Sequence, residues 1–370
     1  MPAPEDVFLT DDFSALLFNS NNHMARNALL QNLGIAHPVI LAPMGGGPST
    51  PELVAAVCNA GGLGSLAAAY LTPAQIIESV RQIRALTSGP FSINLFAGGW
   101  QGGTPANAEP MLALLADVHD YLGLEPPTVP PATPDPFPAQ FEAVLEARPA
   151  AFSFTFGIPS PELLNLARRL DIQSMGTATT LEEARMLAGA GVDAILAQGA
   201  EAGAHRGTFA GNFEAAMVPT LRLVRAISDD LRTPVIASGG LMDGKDIAAA
   251  MRAGASAAQL GTAFLVCPES GASLPYKQAL LAVRSDTTVI TRAFSGRPAR
   301  GLRNEFIDLL EGKEDAILPY PAQNALTRVM RKAAAEQGRQ EFLSLWAGQG
   351  VTRVREMPAG DLVKKLVAEM

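Results

Sequence analysis

Short apolar runs and amphipathic helical patterns alternate along this chain, and that alternation limits its fold more than any other feature. Each run is continuously apolar and ends in Gly, Ser, Thr or Pro, which is typical of parallel strands buried on both faces. The runs lie at 38–44, 62–69, 91–97, 150–157, 172–179, 193–199, 233–240 and 257–265. The helical patterns lie at 50–61, 72–86, 138–148, 160–170, 180–191, 213–228 and 243–254.

Eight apolar runs that alternate with helical patterns predict an α/β fold, a closed (β/α)8 TIM barrel. An open, doubly wound sheet is the alternative. The segment after the first run, LAPMGGGPSTPEL, has three adjacent glycines and lacks the spaced G-x-G-x-x-G of a dinucleotide-binding sheet. The barrel is therefore the favoured architecture.

Two stretches interrupt this alternation of strand and helix patterns. Residues 98–137 form an insertion after the third strand, and its end at 125–138 is so rich in proline that neither helix nor sheet can continue. We expect this insertion to be either a lid or pocket wall at the catalytic face or a passive surface excursion. The tail from about 270 shows no further strand pattern, so we expect helices packed on the barrel. The predicted parts are an N-terminal extension at 1–34, a barrel at 35–270 and a helical segment at 271–370.

Composition excludes several classes of protein. The 370 residues are 48% apolar and 17% charged, which suits a large core and not a disordered chain. A net charge of −8 without a basic cluster predicts neither a nucleic-acid nor an anionic-membrane partner. No apolar run has the length of a membrane helix, and MPAPEDVFLTDDF lacks the pattern of a secretory signal, so we predict a soluble cytoplasmic protein. Cys58 and Cys267 lie in apolar runs and are predicted to be buried thiols.

The loops after strands seven and eight are candidates for a phosphate site. In a TIM barrel, function lies where strands end and the following loops begin. Here those loops read SGG at 238–240 and QLGT at 259–262, and each places main-chain amides near a helix start, where an anion is favoured. The hydroxyls of Ser238 and Thr262 add two further donors. The alternative is that the glycines only permit tight turns and close packing.

Two amides and one histidine also fall at strand ends. We expect Asn94 and Gln198 to point into the barrel mouth, where a ligand edge or a neighbouring backbone group satisfies them. His205 lies among small residues in AQGAEAGAHRGTF, and an imidazole exchanges protons near neutral pH. A surface or packed histidine is the alternative. With no cluster at metal-ligand spacing and no G-x-S-x-G, a phosphate site, amides and one base are typical of a flavin enzyme.

Five segments in the same order resemble the nitronate monooxygenases, formerly called 2-nitropropane dioxygenases. They are APMGGGPSTPELVAAVCNAGGLGSL, SINLF, AQGAEAGAHRG, PVIASGGL and AAQLGTAFL, and PYPAQNALTR at 319–328 resembles a C-terminal segment of the family. The resemblance implies an FMN-containing barrel that oxidises alkyl nitronates, and by extension nitroalkanes, with O2 to carbonyl compounds and nitrite. The redox step is then the chemistry of the cofactor.

The resemblance also implies roles for individual residues. The implied cofactor-binding residues are Ala42, Pro43, Met44, Asn94, Gln198, Gly203, Gly240, Gln259, Leu260, Gly261 and Thr262. The backbone of the first three would lie against the isoalloxazine, the amides at 94 and 198 would hydrogen-bond the cofactor, and the glycine at 203 would let it approach. The residues from 240 onward would hold the phosphate.

His205 matches the histidine of the family's active site. The resemblance implies that it acts as a base on a neutral nitroalkane or hydrogen-bonds the nitronate. Many relatives have two glycines before this histidine, whereas Ala204 stands here and restricts the backbone. An FMN-dependent NAD(P)H reductase of the quinone or enoyl-acyl-carrier-protein type on the same barrel is the alternative function, and a flavin-binding barrel without turnover is another.

Overall fold

The structure, a computed structural model, describes residues 28–100, 105, 107–132, 134–286 and 288–370. Most of the predicted N-terminal extension, residues 1–27, lies outside these ranges. Residues 28–33 are helical, and Leu29 and Leu33 pack in one cluster with barrel residues such as Ile40, Met175 and Ile236. The end of the predicted extension therefore belongs to the barrel and covers the end where its strands begin.

Eight parallel strands form one sheet whose two ends meet. The strands are β1 (Val39–Leu41), β2 (Gly64–Ala67), β3 (Phe91–Phe96), β4 (Ala151–Thr155), β5 (Gln173–Ala178), β6 (Ala194–Gln198), β8 (Val235–Ser238) and β9 (Ala257–Leu260), in the order β1-β9-β8-β6-β5-β4-β3-β2. A parallel bridge pairs Ile40 with Leu63, and Leu41 N–H donates to Leu63 O at 2.9 Å. This bridge joins β1 to the start of β2. The predicted TIM barrel is confirmed.

Helices follow most of the barrel strands, and further helices lie in the insertion and in the C-terminal tail. They are α1 (Pro51–Asn59), α2 (Pro73–Leu86), α3 (Glu109–Tyr121), α4 (Phe137–Ala147), α5 (Pro161–Arg169), α6 (Leu181–Gly189), α7 (Thr220–Asp230), α8 (Gly244–Arg252), α9 (Leu274–Ala282), α10 (Glu305–Leu309), α11 (Ala322–Leu326), α12 (Arg328–Gln337) and α13 (Ala359–Ala368). Threonine caps start several of them; at Thr180, for example, the side chain accepts from Glu183 N–H. Within the described ranges, no helix is long and apolar enough to cross a membrane.

Helix α7 begins later than the sequence pattern predicts. The helical pattern at 213–228 becomes a helix only from Thr220, and residues 213–216 form a turn. Pro219 precedes the first helical residue, where its fixed φ suits a helix start. Both the N–H and the hydroxyl of Thr220 donate to Glu201, at 2.9 and 2.7 Å. The side chain of Glu201 in the preceding loop therefore sets the start of the helix, and the periodicity of apolar residues carries no signal for this contact.

The C-terminal tail contains two strands, so the prediction of a tail without strands is wrong. Strands β10 (Thr288–Thr291) and β11 (Ala299–Leu302) pair antiparallel, and β11 also pairs with the two-residue strand β7 (Ala204–His205) from the loop after β6. The two tail strands have four residues each, and a two-stranded hairpin is only marginally stable without a further strand to pair with. The pairing with β7 spans about a quarter of the chain, and local sequence patterns carry no signal for it.

The insertion at 98–137 packs against the tail. Its helix α3 buries Met111, Leu115 and Val118 in one apolar cluster with Leu326 and Met330 of the tail. The side chain of Gln337 in α12 donates to the carbonyl of Leu122 at 2.8 Å. The insertion therefore packs on the tail, and its role as a lid, a pocket wall or a passive excursion stays a prediction. Residues 101–104, 106 and 133 lie outside the described ranges.

Both cysteines are buried free thiols, as predicted. Burial raises the pKa of Cys58 to about 11 and that of Cys267 to about 12. The Cys58 thiol donates to the carbonyl of Pro90 at 3.0 Å. Neither thiol ionises near neutral pH, so both act as packing groups.

Candidate active site

A cavity of about 850 Å3 lies where the barrel strands end. Its wall is formed by the loops after β1, β3, β6, β8 and β9, together with residues of the tail. Every site residue predicted from the sequence lines it: Ala42, Pro43, Met44, Asn94, Gln198, Gly203, His205, Ser238, Gly240, Gln259, Leu260, Gly261 and Thr262. The structure therefore brings these residues together, and their individual roles stay predictions.

His205 belongs to a strand and not to an open loop. It pairs with Ala299 of β11, and its carbonyl accepts from Gln198 Nε2 at 3.0 Å. Gln198 Oε1 accepts from Gly207 N–H at 2.8 Å. The amide of Gln198 thus binds the backbone of the histidine and of the residue two positions after it, which is the backbone alternative left open by its sequence position. This arrangement fixes the histidine against the end of β6.

Two buried charged residues form hydrogen bonds with the backbone in and around the same segment. Arg206 is 1% exposed, and its guanidinium donates to the carbonyls of Gln198, Gly199 and Ala216. Glu183, which is fully buried, accepts from the backbone amides of residues 179, 209 and 210. Sequence reasoning missed both residues, because an acid in the first turn of a helix and an arginine in a loop ordinarily face water.

The ring of His205 lies among aromatic side chains. Its centroid is 6.0 Å from that of Phe156, 6.2 Å from Tyr320 and 5.8 Å from Trp346. Its Nε2 atom lies 2.8 Å from Ser295 Oγ. Burial, with smaller contributions from the charges of Arg297 and Arg331, lowers the histidine pKa from 6.5 to about 3. His205 is therefore neutral at neutral pH.

The residue before the histidine has a strained backbone. Ala204 has φ +61°, in the left-handed region that glycine adopts freely and other residues enter at a cost. Phe156, whose ring contacts His205, also has a positive φ of +74°. Such conformations persist only where the surroundings hold them, and they cluster at functional sites.

The predicted amides differ in how well they are satisfied. Asn94 Nδ2 donates to Ser153 Oγ at 3.0 Å, a partner that the sequence did not suggest. Gln259 Oε1 accepts from Ser238 Oγ at 3.1 Å, but Gln259 Nε2 is buried without a hydrogen-bond partner. An unpaired buried donor costs about 1–3 kcal/mol. Gln259 therefore carries a donor at the cavity wall that a ligand acceptor would satisfy.

The predicted glycines serve different purposes. Gly240 has φ +71°, which favours glycine in the loop after β8. A Cβ on Gly261 would lie 3.3 Å from Ala42 Cβ, so the loops after β1 and β9 are in contact. A Cβ on Gly203 would lie 2.6 Å from Gly348 N, so this glycine is needed for packing on the tail. The close approach of a cofactor to Gly203, which the resemblance implied, stays a prediction.

The cavity wall is basic although the chain is acidic. Among the described residues that line it are the cations Arg328, Arg331 and Lys332 of α12, and no Asp or Glu. Burial lowers the pKa of Arg331 to about 10, and its guanidinium donates to Asn324 and to Thr327 O, not to a carboxylate. Sequence reasoning missed these cations because they lie on a helix in the tail. A wall of this kind attracts anionic ligands.

Comparison with known proteins identifies the family. The family model for nitronate monooxygenase matches residues 26–369. This chain belongs to the nitronate monooxygenase family. It is therefore an oxidoreductase, and the resemblance inferred from the five sequence segments is confirmed.

Relatives of this nitronate monooxygenase family member cover nearly all of the chain. It is 40% identical to a probable nitronate monooxygenase of Staphylococcus haemolyticus, over 93% of this chain and 97% of that one. The crystal structure of nitroalkane oxidase from Streptomyces ansochromogenes superposes with a TM-score of 0.85 at 42% identity, covering 90% of this chain and 96% of that one. The structure of FabK from Thermotoga maritima superposes with a TM-score of 0.71 at 26% identity, covering 92% and 95%.

Proposed function

We propose that this enzyme uses FMN to oxidise alkyl nitronates and nitroalkanes with O2, yielding carbonyl compounds and nitrite. The observation that carries the proposal is a neutral His205 in a cavity whose lining, in the part of the chain that the structure describes, has three cations and no carboxylate. A nitronate is an anion and a nitroalkane becomes one when it loses a proton. Membership of the nitronate monooxygenase family and the likeness to a nitroalkane oxidase support the same chemistry.

The residues at the cavity wall fit FMN. The unpaired Gln259 Nε2 offers a hydrogen bond to an acceptor atom of the cofactor, and the volume of about 850 Å3 is ample for a ligand of that size. Ala42, Pro43 and Met44 would hold the ring system, and the loops at 239–240 and 261–262 would hold the phosphate through main-chain amides. When bound, the flavin supplies the acceptor for the electrons of the substrate.

The chain's own residues act on the substrate. The cations of α12 raise the local concentration of an anionic nitronate, because the low-dielectric wall concentrates their field. His205 is held neutral, so it is able to accept a proton from a neutral nitroalkane or to form a hydrogen bond with a substrate oxygen. Phe156 and Trp346 beside the histidine limit the access of water to it.

Purified protein tests the proposal directly. We expect a flavin absorption spectrum, with O2 consumed and nitrite released when a preformed nitronate is added. His205→Asn should lower kcat/KM for a neutral nitroalkane by roughly 10²–10⁴-fold, the contribution of a general base. Protein that stays colourless when offered FMN would overturn the proposal. Anaerobic bleaching of the flavin by NADH, with none by a nitronate, would replace it with the reductase alternative.

A further inference from the structure

We propose that Ser295 holds His205 in the tautomer that carries its hydrogen on Nε2, which leaves Nδ1 unprotonated for a ligand in the cavity. Ser295 is then a positioning residue that makes the histidine a proton acceptor. The consequence for substrates, which rests on the proposed function, is that the site is built to deprotonate neutral nitroalkanes as well as to take preformed nitronates.

Ser295 lies in the turn between β10 and β11 and is 1% exposed. Its Oγ atom has three hydrogen-bond contacts. It lies 2.8 Å from His205 Nε2, it lies 3.3 Å from Arg297 N, which donates to it, and it lies 3.1 Å from Arg297 O, to which it donates. Because the serine is buried, these contacts determine where its hydrogen points.

The hydrogens on these atoms can be counted. A serine hydroxyl has one hydrogen and two lone pairs. If the Ser295 hydroxyl donates its hydrogen to Arg297 O, its two lone pairs accept from Arg297 N–H and from His205 Nε2–H, and all three contacts are satisfied. If the hydroxyl donates its hydrogen to His205 Nε2 instead, the hydrogen bond from Ser295 Oγ to Arg297 O is lost. The first arrangement makes one hydrogen bond more, so it is the one that the geometry favours.

The other neighbours of the ring do not choose the tautomer. Phe156 and Trp346 contact it through their aromatic faces and edges, and the buried hydroxyl of Tyr320 makes no hydrogen bond to it. Among the residues that the structure describes, the hydrogen bond to Ser295 is therefore the directional contact at the ring. Since a neutral imidazole has one N–H, a hydrogen on Nε2 leaves a lone pair on Nδ1.

A lone pair on Nδ1 suits one step in particular. The carbon next to the nitro group loses its proton to Nδ1, and the electron pair of the broken C–H bond forms the C=N bond of the nitronate. The products are an imidazolium and a nitronate anion, so charge balances and no oxidant is consumed. A preformed nitronate has no such proton to lose, and its oxygens gain no hydrogen bond from an unprotonated Nδ1.

Nitrogen NMR of histidine-labelled protein reads the tautomer without reference to activity. The chain has four histidines, and the signals lost in His205→Asn identify His205. We expect Nε2 of His205 to show the shift of a protonated ring nitrogen and Nδ1 that of an unprotonated one. A hydrogen on Nδ1 in the wild-type protein would overturn the proposal, and this experiment needs no Ser295 variant to fold.

Ser295→Ala and the matched control Ser295→Thr extend the test. The alanine variant should show a mixture of tautomers and lose about ten-fold in kcat/KM on a neutral nitroalkane, part of the 10²–10⁴-fold that a positioned base supplies, with a smaller loss on a preformed nitronate. The threonine variant keeps the hydroxyl and should restore both the tautomer and the ratio of the two rates.

The outcomes separate the two proposals. Equal losses on both substrates in Ser295→Ala would mean that Ser295 only supports the fold, and would overturn the positioning role. If His205→Asn left both rates unchanged while the NMR signals still showed hydrogen on Nε2, the proposed function would fail and the tautomer assignment would stand.

Discussion

The guanidinium of Arg297 lies over the ring of Phe156, with Cζ 3.8 Å from the ring centroid. Its Nη2 donates to Thr208 O at 2.7 Å, so the arginine links the turn after β10 to the segment after the histidine. The ring of Phe156 in turn contacts His205. A positive charge is therefore held close to the imidazole, where it opposes protonation.

Removing that charge should raise the pKa of His205. We expect Arg297→Met to move the pKa upward from about 3, because a nearby cation disfavours the imidazolium. NMR titration of the histidine measures the change. Arg297→Lys is the control, since it keeps the charge and loses most of the planar stacking. An unchanged pKa in the methionine variant would show that burial alone lowers it.

The same histidine should make stability depend on pH. Its pKa is 6.5 when exposed and about 3 in the folded protein, so between these values the unfolded chain binds more protons and acid destabilises the fold. We expect His205→Asn to reduce the pH slope of the unfolding free energy in this window by about one proton. Urea unfolding at several pH values measures the slope. Identical slopes in both proteins would contradict the lowered pKa.

Ala204→Gly should stabilise the protein slightly. The left-handed φ of Ala204 costs roughly 1–2 kcal/mol, and the extra freedom of glycine in the unfolded chain offsets about 0.4–1 kcal/mol of the gain. Thermal unfolding measures the difference. Ala202→Gly is the matched control in the same loop, because Ala202 is buried without a positive φ and its replacement should lower the Tm. A lower Tm in both variants would contradict the strain.

The cations of α12 should favour anionic substrates. Replacing the exposed Arg328 and Lys332 by Gln together should raise KM for a nitronate about 2- to 5-fold, as expected for two exposed charges, and should change KM for a neutral nitroalkane less. Added salt should reduce the difference between wild type and variant. Lys365→Gln on α13 removes an exposed cation that does not line the cavity and serves as control. Equal effects on both substrates would argue against electrostatic attraction.

Local patterns were sufficient to predict the barrel and its rim. Runs such as SINLF and the Thr180 cap place strands and helices by short-range chemistry, and parallel strands bring their carboxyl ends to one face. The predicted residues therefore meet in one cavity. The cytoplasmic location and the lack of a nucleic-acid partner stay predictions.

Contacts between distant parts of the chain could not be predicted. Ser295 and Ala299 reach His205 from about ninety residues away, and the cations of α12 lie still further along the sequence. In the sequence, Glu183 is an ordinary acid in the first turn of a helix. In the fold it is buried and accepts a hydrogen bond from the segment that follows the histidine. Each of these roles depends on tertiary packing, for which a single sequence holds no periodic signal.

The pairing of β7 with β11 has a consequence for biosynthesis. The barrel strands end at Leu260, whereas Ala299 and Trp346, both of which contact His205, leave the ribosome later. All eight barrel strands are thus synthesised before the histidine acquires these two neighbours from the tail. The proposed site is then complete only once the last-made portion of the polypeptide has been added, and a product shortened before Trp346 would contain every barrel strand but lack this neighbour of the histidine.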